Sequence, residues 1–178
     1  MQSRQRTKNH NKQAITYSAF DTALYYLTFR DRSRKELCDK LVEKGYGEEE
    51  ITDAIEKLMS YGYIDDERFA KSYIRSQMRG KGRRRITMEL SGKGVDSVVT
   101  RELFTELAPD EAETIYDLLE KRYGNLNFAD ESQMRRMYAF FARRGFQYED
   151  IRRAVSQYRK NYEKYSLNRF GGIYRHSR

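Results

Sequence analysis

One cysteine, one proline, two histidines and no tryptophan occur among the 178 residues, and each scarcity removes a class of structure or chemistry. A lone Cys38 cannot close an internal disulfide, which points to the thiol-reducing cytosol as the compartment. Beside Leu37 on a helix it reads as a small, partly buried side chain. With one Cys and no paired His, a tetrahedral zinc site has no ligands. His10 and His176 stand near the chain ends, where neither is held within reach of a substrate proton as a general base. No apolar run approaches the length of a membrane span, and the first dozen residues, with Arg4, Arg6, Lys8 and Lys12, contain none at all. Gly80-Lys81-Gly82 and Gly92-Lys93-Gly94 lack the spacing and preceding strand of a phosphate loop. Asp65 and Asp66 have the chemistry to bind a hard cation, but they open a helix, where N-capping accounts for them. The expectation is a soluble, cytoplasmic protein that is not an enzyme and carries no cofactor or metal.

What is present is helix. With Pro109 alone to interrupt it and no alternating apolar run of strand length, the chain reads as all-α. Leu37, Leu41, Gly45, Tyr46, Ala54, Ile55 and Leu58 move by 49 (94 minus 45) onto Ile86, Leu90, Gly94, Val95, Leu103, Phe104 and Leu107. Moved by 100 (145 minus 45), they fall on Met137, Phe141, Gly145, Phe146, Ala154, Val155 and Tyr158. Apolar residues replacing apolar residues at helical spacing, with a Gly fixed in each copy, mean one three-helix unit used three times.

Boundaries follow from caps. A helix near 17–28 opens the first unit; Ser33 and Glu36 form a capping box for the next, and Gly45 ends it in the left-handed conformation. Glu48, Glu49 and Glu50 place negative charge at the positive end of the third helix. The second unit repeats this over about 66–79, 84–93 and a helix entered through Asp96. Pro109 is expected in the first turn of the next helix, and Asp130 with Gln133 is expected to form another capping box, for a helix over 133–144. The expected layout is a basic arm over 1–15, repeats over 16–64, 65–108 and 109–162, and a basic, aromatic tail over 163–178 that lacks a helical stripe and should be mobile.

Charge is distributed unevenly along this row. Lys and Arg number 35 against 27 Asp and Glu, a net charge of +8, which favours an anionic partner. Arg75, Arg79, Lys81, Arg83, Arg84 and Arg85 fall in one acid-free stretch, where like charges at helical spacing repel. A solvated face and a contact with nucleic acid or an acidic protein both fit that stretch. Arg143, Arg144, Arg152, Arg153, Arg159 and Lys160 form a second cluster, separated from the first by Asp110, Glu111, Glu113, Asp117 and Glu120. In the tail, Tyr162, Lys164, Tyr165, Arg169, Phe170, Tyr174 and Arg175 mix rings with cations, a composition shared by plain basic ends and by segments that stack on unpaired bases.

Residues 62–75, GYIDDERFAKSYIR, followed by Arg79-Gly80-Lys81-Gly82, Ile86, Glu89-Leu90 and Lys93-Gly94-Val95, resemble the signature of the RecX family. Arg30, Ser33, Glu36-Leu37, Leu41 and Lys44-Gly45 also match that family's first repeat, and the resemblance covers about 19–158. It implies a curved, elongated array of three helix-turn-helix-like repeats and a negative regulator of the bacterial recombinase RecA. Such a protein lies in the groove of the RecA filament on DNA and limits its growth, ATP hydrolysis, strand exchange and co-protease activity. Partner contacts are then expected from Arg75, Arg79, Lys81, Arg83, Arg84 and Arg85, with Arg143, Arg144, Arg152 and Arg153 as a second footing, on a monomer that touches the filament and its single- or double-stranded DNA. The alternative is a stand-alone DNA-binding module, since three-helix units can place a helix in a groove. Thr100, at a position that is apolar in the other repeats, the third unit and the tail depart from the family pattern.

Overall fold

The computed structural model describes residues 17–107, 109–124 and 126–171, and these hold nine helices and no strand. The chain divides after Asp65 into two compact units. The arm over 1–15, both histidines and residues 172–178 lie outside the described residues.

The first unit holds α1 (Ala19–Leu27), α2 (Arg34–Lys44) and α3 (Glu48–Ser60). Ser18 caps α1 by accepting from the Asp21 N–H. The capping box at Ser33 is complete: its hydroxyl accepts from the Glu36 N–H, and the Glu36 carboxylate accepts from the Ser33 N–H. Ala19, Ala23, Leu37, Leu41, Ile51, Ala54, Ile55 and Leu58 meet in the core with Tyr46 and Ile64. The Tyr46 hydroxyl donates to the Tyr17 carbonyl at 2.8 Å and lies 2.6 Å from the Thr22 hydroxyl, which ties α1 to the turn after α2.

The second unit holds two repeats. α4 (Asp66–Gln77), α5 (Arg83–Gly92) and α6 (Ser97–Leu107) enclose Phe69, Ala70, Ile74, Ile86, Leu90, Val95, Leu103 and Phe104. α7 (Glu111–Tyr123), α8 (Glu131–Arg143) and α9 (Tyr148–Gly171) enclose Ile115, Leu119, Met137, Phe141, Phe146, Ile151, Ala154, Val155 and Tyr158. Burying one side chain of this size contributes about 1.5–3 kcal/mol. The glycines that pin the repeat share one geometry: φ is 88° at Gly45, 80° at Gly94 and 85° at Gly145. Those values belong to the left-handed region, where a Cβ is strained. Thr100 is buried like its apolar counterparts Ile51 and Ile151, at 2% exposure, because its hydroxyl donates to the Asp96 carbonyl at 2.9 Å and leaves the methyl for the core.

Several local expectations are revised. Pro109 precedes α7 instead of lying in its first turn: Asp110 is the N-cap, accepting from the N–H groups of Ala112 and Glu113. Asp130 caps α8, which starts at Glu131, but Gln133 does not close a capping box. Its carboxamide oxygen accepts from the Asn127 N–H and its amide donates to the Asp130 carboxylate, because the turn before α8 brings the Asn127 donor within reach. α9 continues past Tyr162, where the sequence places the end of the third repeat. Neither Pro nor Gly interrupts 148–170, and the Arg159–Glu163 ion pair at 2.9 Å bridges the expected boundary at helical spacing.

Candidate functional site

The second unit carries both cationic clusters, and the fold assigns different tasks to their members. Arg75 lies in the last turn of α4, Arg79 in the turn that follows, and Arg84 in the first turn of α5. All three are exposed and make no ion pair among the described residues. Lys81 and Arg85 instead face Glu89 one or two turns along α5. The Lys81 ammonium is 2.9 and 2.7 Å from the two carboxylate oxygens, Arg85 Nε donates at 2.8 Å, and the Tyr73 hydroxyl of α4 donates at 2.8 Å. Burial of Glu89 opposes its charge, yet hydrogen bonds from Lys81, Arg85 and Tyr73 outweigh it and lower the pKa to about 2. The carboxylate therefore fixes α4, the turn and α5 as one cationic support. Arg83 spreads its guanidinium over the Phe104 ring, 4.9 Å from the centroid.

The other cluster is split in the same way. Arg143 and Arg152 are exposed and without an ion pair among the described residues. Arg153 sits between Asp110 at 3.2 Å and Asp150 at 3.0 Å. Arg144 joins the two repeats: its guanidinium donates to the Gly80 carbonyl at 2.9 Å and covers the Phe140 ring at 4.4 Å, while its carbonyl accepts from the Gly82 N–H at 2.9 Å. The backbones touch at this joint. A Cβ on Gly82 would lie 2.4 Å from the Gly145 carbonyl oxygen and the Phe146 nitrogen. One on Gly145 would lie 2.4 Å from the Arg85 nitrogen.

Glu111 closes the joint from the first turn of α7. One carboxylate oxygen accepts from the Arg83 N–H at the start of α5, and the other is buried without a hydrogen-bond partner among the described residues. Burial raises the Glu111 pKa, the Arg83 N–H opposes the rise, and the Asp150 charge adds to it. Arg83, Asp110, Gln147, Asp150 and Arg153 line the same cleft. A raised pKa means that the folded chain holds this proton more tightly than the unfolded one, so ionisation removes stability as pH rises from the ordinary carboxylate range through the raised value. Glu111→Gln, which has no charge to bury, should therefore gain thermal stability relative to wild type as pH rises from about 4 to about 8. Melting curves at the two pH values check this; a difference independent of pH would show that the Glu111 charge is not strained.

No group of three or more His, Cys, Asp or Glu positioned for a metal occurs among the described residues, and no helix among them is long and apolar enough to cross a membrane. Sequence spacing alone did not single out Glu89, Glu111 or the Gly82–Gly145 contact. Glu89 had a readable signal, lying four residues after Arg85, but the other two depend on residues far apart in the chain.

Comparison with known proteins agrees with the internal repeat. Residues 19–58 match the model of the first three-helix domain of RecX, 65–102 that of the second and 109–155 that of the third. The Regulatory protein RecX of Vibrio vulnificus (strain CMCP6) is 36% identical over 140 residues, covering 78% of this chain and 92% of that protein. The Regulatory protein RecX of Pelodictyon phaeoclathratiforme (strain DSM 5477 / BU-1) is 36% identical over 152 residues, covering 84% and 91%. Among solved structures, RecX from Lactobacillus salivarius superposes with a TM-score of 0.67 at 29% identity, covering 79% of this chain and 94% of that one. Three consecutive domain matches in the order of the three observed helix triplets place the chain in the RecX family of regulatory proteins.

Proposed function

We propose that this chain is a negative regulator of the recombinase RecA, which binds the RecA filament on DNA and restrains its extension, ATP hydrolysis, strand exchange and co-protease activity. The reading rests on family membership and on one observation in particular: Arg75, Arg79 and Arg84 are exposed on a support in which Lys81 and Arg85 are held from within by Glu89. Unpaired cations held by a rigid base present charge to a polyanionic assembly without loss of shape on binding. Arg143 and Arg152 provide the second footing, while Arg83, Arg144 and Arg153 serve the joint between repeats as well as adding to the field. The action is steric and electrostatic, with no bond made or broken.

Replacing Arg75, Arg79 and Arg84 together by Ala should raise the concentration needed to inhibit DNA-dependent ATP hydrolysis about tenfold at low salt and flatten its salt dependence. Inhibition unchanged at every salt concentration would remove these residues from the contact. The assay is run at protein levels too low to coat the DNA. Inhibition that appears only when the DNA is coated would favour a stand-alone DNA-binding module instead.

A further inference from the structure

Repeats built on one pattern act as internal controls for one another: a side chain required by the packing recurs, and one serving another purpose does not. Tyr138 and Tyr148 correspond to Cys38 and Glu48 in the first repeat (shift 145 minus 45) and to Thr87 and Ser97 in the second (shift 145 minus 94). Neither counterpart pair contains a ring, so the scaffold does not need rings where the second helix meets the start of the third. Yet Tyr138 of α8 and Tyr148 of α9 stack, with centroids 5.6 Å apart and planes inclined by 29°, and Tyr148 is 66% exposed.

Each tyrosine has an arginine about one turn away on its own helix. Arg135 precedes Tyr138 by three residues and Arg152 follows Tyr148 by four, spacings that make side chains neighbours on a helix surface. Both arginines are exposed and make no ion pair among the described residues. Burial raises the Tyr138 pKa, and the Arg152 charge is near enough to oppose that rise. Of the acids nearby, Asp150 is held by Arg153 at 3.0 Å, while Glu149, which lines a cleft with Arg152, and Glu131, one turn before Arg135, make no ion pair with either arginine among the described residues.

We infer that Tyr148, supported by Tyr138 and flanked by Arg135 and Arg152, is a base-stacking site for single-stranded nucleic acid. An exposed ring with a second ring behind it offers a rigid flat surface, and every base has a face to lay on it. The arginines on either side neutralise the phosphates that accompany that base. Duplex DNA keeps its base faces stacked on one another and reaches only the arginines. The site needs no recombinase, so it stands or falls separately from the proposed action on RecA.

The experiment uses the full chain without RecA and two labelled oligomers of equal length, single-stranded oligothymidylate and an abasic strand with the same phosphates. Wild type should bind the base-bearing strand about tenfold more tightly than the abasic one. Tyr148→Ala should abolish that preference while binding the abasic strand as wild type does, and Tyr148→Phe should retain it. Tyr148→Ser, which installs the residue used at this position in the second repeat, should behave as Tyr148→Ala and guards against a folding defect. Arg152→Gln should weaken binding to both strands and lower the salt slope by about 0.7. Equal binding of the two strands by wild type, or a preference that survives in Tyr148→Ala and Tyr148→Ser, overturns the inference.

Discussion

Gly82→Ala should destabilise the second unit by on the order of 3 kcal/mol, in the upper range for overpacking, because its new methyl meets backbone instead of a movable side chain. The Gly145 carbonyl oxygen and the Phe146 nitrogen would each stand 2.4 Å from it. Relief requires moving apart two repeats held together by the Gly82 N–H to Arg144 carbonyl bond, the Arg144 to Gly80 bond and the Arg83 to Glu111 bond. Gly145→Ala should be at least as costly, since φ of 85° and a 2.4 Å approach to the Arg85 nitrogen coincide there. Two substitutions separate the causes. Gly45→Ala has the positive φ with open space around it and should cost about 1–2 kcal/mol. Gly92→Ala has neither handicap and should stabilise α5 by about 0.5–1 kcal/mol. Urea denaturation of the four variants checks the order. A Gly82→Ala chain as stable as wild type would mean that the joint is not closely packed.

Glu89→Gln should cost about 2 kcal/mol at neutral pH, because it exchanges charge-assisted hydrogen bonds from Lys81 and Arg85 for weaker ones and leaves those cations repelling one another. The pH dependence gives the prediction its sign. The folded-state pKa is lowered from 4.5 to about 2, so the contribution is complete above 4.5 and is lost as pH falls through about 2. Wild type should therefore lose its advantage over Glu89→Gln between those values. Denaturation followed across that window tests it, and a constant difference between the two proteins down to pH of about 2 would mean that ionisation of Glu89 is not the cause. If the proposed action on RecA holds, the same variant should weaken that inhibition indirectly, since Arg79 and Arg84 project from the turn and helix that Glu89 holds in place.

The repeat was legible because burial imposes a period on sequence. Ile86, Leu90 and Phe104 in one copy, and Met137, Phe141 and Val155 in the next, occupy the same places in separate cores. The Ser33 box was legible because both partners lie within one turn. At Gln133 the same logic failed: the side chain found a better donor in Asn127, from a turn whose path local spacing does not reveal. α9 runs on to Gly171 because an apolar stripe reports where a helix is buried, whereas its length depends on where a residue that breaks it occurs.

The cationic clusters were legible only as composition. Ten residues were equivalent by charge, and the fold divided them. Lys81 and Arg85 turned to Glu89, Arg83 to Phe104, Arg144 to Gly80 and Phe140, and Arg153 to two aspartates, while Arg75, Arg79, Arg84, Arg143 and Arg152 remained exposed without ion pairs among the described residues. By itself the sequence determined the helical class, the threefold repetition, the core positions and the excess of positive charge, all of which follow from the local periodicity of burial and from counting ionisable groups. Tertiary structure alone decided which arginines are free, that Gly82 and Gly145 meet, and that Tyr138 lies against Tyr148. Each of those depends on the distance between residues on different helices, and that distance is set by how the helices pack.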